Sequence, residues 1–497
     1  MGRSGVNLPP VAVVAVTVAL AAFAAAMAAA ALMPDQPLML ALPLVVAVAA
    51  SLAPVGVALL AGERWAFVVA LAVLLFVTDA SFRARNWADK SWDWQVLMKG
   101  VVWLGCGVAG VMRMPSVLKL VAEPPGWLAL TFLLIMAASS LWSPTPNYSF
   151  LASASFLMMF PFAFACADML DDKDLLLAMA LGCGAIVLPS LAIAPFAMGV
   201  SGTSPGSTGE PDRLRGLTDH PIPLAEISSL FTYACLALRV RSRRGGARFL
   251  LLVLGCAGAV TALLTHSRIP VMAMVASVLG FVSYRKGGAL LMGPVLLVCA
   301  GLVLMMESVA GFANFLPRDL LELVSRSGSS NEILSLSGRL VIWPYAIDRI
   351  WDAPFLGHGH ASGMEVFKGF APWKITHAHN AYLQALLYVG LAGTLPLLGT
   401  LFAQLRMFMR RPEAPRDILL LYAMLSGITE QSMLSNMPSS SVILWMVAIG
   451  LAARAWPGEK APSPLDDRGI DARLPRPTPK GKGAHRLVRA RQHPEPP

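Results

Sequence analysis

Eight histidines stand in the 497-residue sequence, and six of them gather in polar stretches between long apolar ones: His220, His266, His358, His360, His377 and His379. The other two, His485 and His493, lie near the C-terminal end. Four arginines accompany the six: Arg213, Arg215, Arg268 and Arg339. Histidine exchanges a proton near neutral pH. Arginine grips anionic oxygens with a planar fork. Such groups beside apolar segments are costly unless they snorkel, pair or serve a site. Each alone has a plain explanation; together they suggest a polar active site. His358-Gly359-His360 and His377-Ala378-His379 also invite a metal reading, because two His-x-His pairs can offer four nitrogens to zinc. Glu226 and Glu430 fall in or near apolar segments, which makes each either functional or the partner of a nearby Arg or His.

The segments that must position these residues are apolar. The chain is 56% apolar and 14% charged, against roughly a quarter charged in an average soluble domain. Its mean hydropathy is +0.64. These values exclude a soluble globular protein, a disordered chain, a collagen and a disulfide scaffold. A helix crosses the bilayer core with about 20 apolar residues. That ruler predicts about fourteen spans, near 11–33, 38–60, 66–81, 95–111, 126–142, 148–169, 174–199, 221–240, 249–264, 268–284, 288–305, 380–404, 417–435 and 440–455. The first is too long for a typical signal-peptide core and is expected to be a retained helix.

Positive charge sets the orientation. Arg239, Arg241, Arg243, Arg244 and Arg248 crowd one loop, Arg285 and Lys286 mark a second, and Arg406, Arg410, Arg411 and Arg416 mark a third. The three alternate correctly when all are cytoplasmic, and Arg3 and the C-terminal tail then fall inside as well. The net charge of +10 is accounted for by such loops and needs no nucleic acid. Residues 457–497 hold nine Pro, nine Lys or Arg and five Asp or Glu, a composition that cannot bury a core, so a disordered basic tail is expected. The remaining polar loops, about 200–220 and the large one about 306–379, then face outward with the six histidines. In the large loop, Ser337 can cap a helix over 338–351. Leu340, Trp343, Ile347, Ile350 and Trp351 recur there at helical spacing, which predicts an amphipathic helix at the membrane interface. Pro344 should kink it or delay its start, and Ala353-Pro354 ends it.

Two further patterns carry less. Cys106, Cys166, Cys183, Cys235, Cys256 and Cys299 all fall in apolar stretches without CxxC spacing, so they are expected to pack as small apolar residues. Gly105, Gly107 and Gly110 form GxGxxG, but no strand precedes them and the segment is a span; helix packing accounts for them better than a nucleotide.

The polar residues also carry a family resemblance. His379-Asn380 is followed by nine residues and then Gly390-Leu391-Ala392-Gly393. This resembles the bacterial O-antigen ligases and related polysaccharide polymerases. Ser337-Gly338-Arg339, Trp343 and Pro354-Phe355-Leu356-Gly357-His358-Gly359 resemble the same family's loop segment. Arg213-Leu214-Arg215-Gly216 with His220-Pro221, and Thr265-His266-Ser267-Arg268, resemble its earlier loop and its helix mouth. The resemblance covers roughly 180–450.

The resemblance implies a glycan donor on undecaprenyl pyrophosphate at the periplasmic face, with lipid A-core or a growing polysaccharide as acceptor. An acceptor hydroxyl attacking the anomeric carbon must lose a proton, and His can take it. A lipid pyrophosphate leaves without a carboxylic acid to protonate it but needs cations for its charge. His plus Arg suits that reaction, without the paired carboxylates of a glycosidase. On this reading His379 is the general base. Asn380 orients it or the acceptor, or simply caps the following helix. Arg339, Arg215 and Arg268 hold the pyrophosphate. No cofactor and no metal are expected; Gly357 and Gly359 resemble turn residues of the family loop, where His358 is common.

The expectation is an all-α polytopic inner-membrane protein of about 12–14 transmembrane helices, with a large periplasmic loop carrying an amphipathic helix and both termini cytoplasmic. Residues 1–199 form N-terminal transmembrane helices, 200–456 the catalytic membrane region with its loop at 306–379, and 457–497 the tail. The expected function is glycan transfer to lipid A-core. The alternatives are an O-antigen or exopolysaccharide polymerase with the same chemistry and, from another class, a lipid-linked oligosaccharide flippase or transporter. A transporter would hold its charges at the bilayer midplane; here they collect at span ends and in one long loop.

Overall fold

Pro124-Pro125, Pro146 and Pro221 stand in the first turns of three long helices, where a missing N–H leaves no bond unmade and φ is already helical. In the computed structural model of the protein, the described residues are 55–59, 61–81, 94–197, 213–308, 339–370 and 375–456. They form α1 Arg64–Asp79, α2 Trp94–Met112, α3 Met114–Val121, α4 Pro124–Ala138 and α5 Pro146–Met169. There follow α6 Asp172–Ala197, α7 Pro221–Arg241, α8 Gly245–Leu264, α9 Arg268–Ser308 and α10 Arg339–Asp352. The short α11 Gly363–Val366, then α12 Ala381–Arg410, α13 Arg416–Ser426 and α14 Ser440–Ala455 complete them. No strand occurs among the described residues. Eight helices are long and apolar enough to cross a membrane: α2, α4 with the turn after it, α5, α6, α7, α8, α9 and α12. The protein is an all-α polytopic membrane protein.

The expected spans 268–284 and 288–305 hold: α9 consists of two helices that meet at a break at Gly287 and Gly288, where Gly288 takes φ 66°. Other expected boundaries move. The expected span 417–435 is helical only to Ser426. From there to Ser439 the chain runs irregularly through the bundle end, with Met433, Leu434, Glu430 and Ser432 buried. The segment GITEQSMLSNMPS mixes polar and turn-forming residues with its apolar ones, which is why it does not continue the helix. The helix α3 was not expected from the sequence. α1 and α14 have 16 residues each and are buried almost throughout. The expected span at 11–33, all but residues 55–59 of that at 38–60, the Ser337 cap and the tail at 457–497 lie outside the described residues.

α1, α5 and α14 supply the centre of the core, with Phe67, Leu71, Phe156, Phe162, Phe164 and Trp445 among its largest buried side chains. Within its membrane window α5 is 67% buried, whereas α8 is 22% and α2 is 28%. The exposed faces of α2 and α8 carry Val101, Leu104, Val108, Phe249, Leu250 and Val253. Apolar side chains left outward along a span are a surface for lipid. On its inner side α2 packs Gly107 against Met158 and Gly110 against the Pro161–Phe162 backbone, so closely that a Cβ would not fit. Gly107 and Gly110 thus have the helix-packing role expected for the GxGxxG glycines, whereas a Cβ at Gly105 would meet nothing within 4 Å. Five of the six cysteines are buried, Cys256 is exposed, and all six are free.

The two ends of the bundle are chemically distinct. One is clamped by ion pairs: Arg64 with Asp171 and Asp174, Arg241 with Asp172, and the buried Arg416 with Asp417 and Glu413. The other end gathers the C-termini of α8 and α13, the N-termini of α7, α9, α12 and α14, and the segments between them.

Candidate active site

The first turn of α12 is fastened by Asn380. Its Oδ1 accepts from the backbone N–H groups of Tyr382 and Leu383, at 3.0 and 2.9 Å. Its Nδ2 donates to the Ile428 carbonyl at 2.7 Å, and Ala381 N donates to the Gly427 carbonyl at 2.8 Å. Asn380 therefore caps α12 and ties it to the segment after α13. The residue before it, His379, takes φ 50°, a left-handed conformation uncommon outside glycine. The strand of chain behind it is pinned as well: Trp343 Nε1 of α10 donates to the Ala378 carbonyl at 3.0 Å, and Ala378 N donates to Gln384 Oε1.

So held, His379 places Nδ1 3.4 Å from Glu430 Oε2. The His379 side chain is 29% exposed and that of Glu430 6%. The His377 ring lies 4.1 Å from that of His379, centroid to centroid, with its own Nδ1 2.7 Å from Thr376 Oγ1. Both histidines and Glu430 can each bring one ligating atom within 4.8 Å of the others.

The motif glycines explain how α10 and α12 are joined. Gly390 has φ 57° and ψ −163°, which breaks α12. The segment after α10 enters the break. Leu391 N and Ala392 N donate to the Pro354 and Phe355 carbonyls, and His358 N and Gly359 N donate to the Leu387 and Tyr388 carbonyls. The backbones touch, so a Cβ at Gly357 or Gly390 would run into the other chain segment. His358 and His360 are consumed in this joint. His358 Nε2 is 2.7 Å from the Arg349 carbonyl. His360 is fully buried, with Nδ1 3.1 Å from Ser153 Oγ and its ring edge-on to Phe156 and Tyr388. Burial holds the His360 imidazole down at about 4, so it stays neutral. The two His-x-His pairs do not converge on one four-nitrogen centre.

A basic cluster forms at the mouth of α9. Arg213 is buried; its Nε donates to the Thr265 carbonyl at 2.9 Å and its Nη2 to Ser267 Oγ at 2.6 Å. Between them His266 takes φ 52°. Its proton affinity is lowered by burial first, then by the charges of Arg213 and Arg268. Arg268 begins α9, whose N-terminus adds backbone N–H donors. Arg215 is half-buried in the same loop, and His220 caps α7 by accepting from Ile222 N. The backbone of Arg339 begins α10, but its side chain lies outside the described residues.

This cluster and the His379–Glu430 pair share one bundle end. In the second turn of α7, Glu226 accepts from Ser432 at 3.0 Å and from Ser441 at 2.7 Å, gripping the chain within the loop that carries Glu430 and again at the start of α14. Asp79 accepts from Ser440 N at 2.9 Å and adds a third hold. The structure thus brings together His379, His377 and Glu430, and separately Arg213, His266 and Arg268. Sequence reasoning marked Glu430 as an acid near a span but did not join it to His379. The signal was present in the polar run Thr429-Glu430-Gln431-Ser432, which interrupts an otherwise apolar stretch.

Residues 234–398, from the middle of α7 to the middle of α12, match the family model described as O-antigen ligase. The chain is a multi-pass membrane protein, and the match covers about a third of it. His379, Asn380, Arg268 and Arg339 lie inside the matched range, whereas Arg213, Arg215 and Glu430 lie outside it. No curated protein matches the chain.

Proposed function

We propose that this protein is an inner-membrane glycosyltransferase that moves a glycan from undecaprenyl pyrophosphate to lipid A-core at the periplasmic face, with both termini in the cytoplasm. The observation that carries the reading is the His379–Glu430 pair at the same bundle end as the basic cluster of Arg213, His266 and Arg268. The acceptor hydroxyl oxygen forms a bond to the anomeric carbon as the bond from that carbon to the pyrophosphate oxygen breaks. The proton passes to His379, whose positive charge Glu430 offsets. The departing electron pair stays on the pyrophosphate, where Arg268, Arg215 and Arg339 meet the growing charge. Asn380 serves by holding α12 and, through it, the position of His379. A single displacement of this kind inverts the anomeric centre. The reaction as written calls on no metal.

The test is a gel of lipopolysaccharide and lipid-linked glycan from a deletion strain, complemented with wild type or with His379→Ala. The reading expects the O-antigen ladder to vanish and undecaprenyl-linked polymer to accumulate, with rescue by wild type only. Collapse of the ladder to a single repeat would make the protein a polymerase with the same chemistry. Full rescue by His379→Ala would remove the base assignment and favour a flippase or transporter.

A further inference from the structure

We infer that His377, His379 and Glu430 form a binding site for a divalent transition metal of the zinc class, and that the bound ion switches glycan transfer off. The inhibitory half of the inference rests on His379 being the general base. Two imidazoles and one carboxylate are the donor set that suits zinc, copper, nickel or cobalt; magnesium and calcium favour oxygen ligands. Three protein ligands with a fourth position open is also the ligand count of an open rather than a structural zinc site.

The geometry is close to assembled. Ligand atoms around a tetrahedral zinc with bonds near 2.05 Å stand about 3.3 Å apart. His379 Nδ1 and Glu430 Oε2 are already 3.4 Å apart, and the three donors lie within 4.8 Å of one another. The two ring centroids lie 4.1 Å apart, with the planes tilted by 53°, close enough for one ion to reach a nitrogen of each. Thr376 Oγ1 on His377 Nδ1 resembles the outer partner that orients a metal-binding imidazole and fixes its tautomer. Glu430 is a carboxylate almost wholly shielded from solvent, where a cation on its oxygen offsets the penalty of burial. All three residues sit on chain that is pinned by Asn380, Trp343 and Gln384, so little ordering remains to be done on binding. Coordination at His379 Nδ1, the nitrogen beside Glu430, leaves the ring proton on Nε2, so the nitrogen facing the acceptor has no lone pair with which to take its proton.

Titration of the purified full-length protein in detergent with Co²⁺, whose visible spectrum reports tetrahedral coordination, tests the site directly. The expected result is one Co²⁺ per chain, displaced by Zn²⁺, with transfer inhibited over the same zinc range. His377→Ala is expected to weaken cobalt binding by at least about tenfold, since even outer-partner changes cost roughly 10–100-fold. It should keep transfer and shift zinc inhibition by the same factor. His377→Gln serves if the alanine variant is unstable. Wild-type protein that binds no cobalt, or a His377 variant bound and inhibited like wild type, overturns the inference. Transfer lost in EDTA and restored by zinc overturns the inhibitory role. If His379→Ala transfers glycan normally, the base assignment fails by itself, while the cobalt titration still decides whether the metal site exists.

Discussion

At the scale of single residues, His379 and Glu430 divide the work unequally. General base catalysis contributes typically 10²–10⁴-fold, so His379→Ala should lower kcat by that order if the proton goes there. Glu430 lies behind the imidazole and touches no substrate in this scheme; it is a positioning residue. Glu430→Gln keeps the shape and removes the charge. The expected outcome is a kcat reduced by roughly tenfold or more, with the donor KM nearly unchanged. A Glu430→Gln enzyme with wild-type kcat would reduce the pair to a packing contact. The Arg213 guanidinium is committed to Thr265 and Ser267, so its substitution should disturb the loop at 213–220. Arg268→Ala should raise the donor KM.

At the scale of elements, the joint between α10 and α12 decides where the site stands. Gly390 opens α12, the segment 354–359 fills the opening with backbone hydrogen bonds, and Trp343 reaches across to Ala378. Gly390→Ala forces a Cβ into the Phe355 carbonyl group and places a side chain at φ 57°. A strained backbone of this sort costs of order 1–3 kcal/mol, and the clash adds to it. Thermal unfolding in detergent should show a clear loss of stability for Gly390→Ala. Gly293→Ala, where a Cβ meets nothing within 4 Å, should stay within about 0.5 kcal/mol of wild type. Equal effects from the two would mean that the break in α12 carries no special load. The nine-residue spacing between Asn380 and Gly390 now has a physical meaning: it is the length of the first α12 segment, from its cap to its break.

For the whole molecule, polarity is sorted by end. Ion pairs close one end, and titratable groups line the other. His360 makes that second end sensitive to acid. Burial holds its folded value at about 4, against about 6.5 for an unfolded histidine, so the unfolded chain binds the extra proton first. Its contribution to stability is whole above pH 6.5 and is lost as the pH falls toward 4, by about 3 kcal/mol in all. The melting temperature in detergent should therefore drop between pH 6.5 and 4. His360→Phe, of similar shape and unable to ionise, should flatten that part of the profile. An unchanged slope in the variant would assign the acid sensitivity to other groups.

The sequence by itself determined the solvent of the fold and the inventory of the site. Hydropathy over windows of about 20 residues reflects a local rule, since a bilayer satisfies no backbone hydrogen bond and each span must be its own helix. Eight long apolar helices, the amphipathic α10 and the polar sets around His379 and Arg268 were legible for that reason. Tertiary structure decided what local rules do not encode. The chain beyond Ser426 is fastened by residues distant in sequence: Glu226 accepts from Ser432 and from Ser441 of α14, and Asp79 accepts from Ser440 N. Glu430 met His379, 51 residues away, because Asn380 binds the chain after α13. His358 and His360 left the metal reading because the break at Gly390 drew their segment into α12. Each of these outcomes depends on which backbone groups remain unpaired once the helices have packed, and that is a property of the assembled bundle.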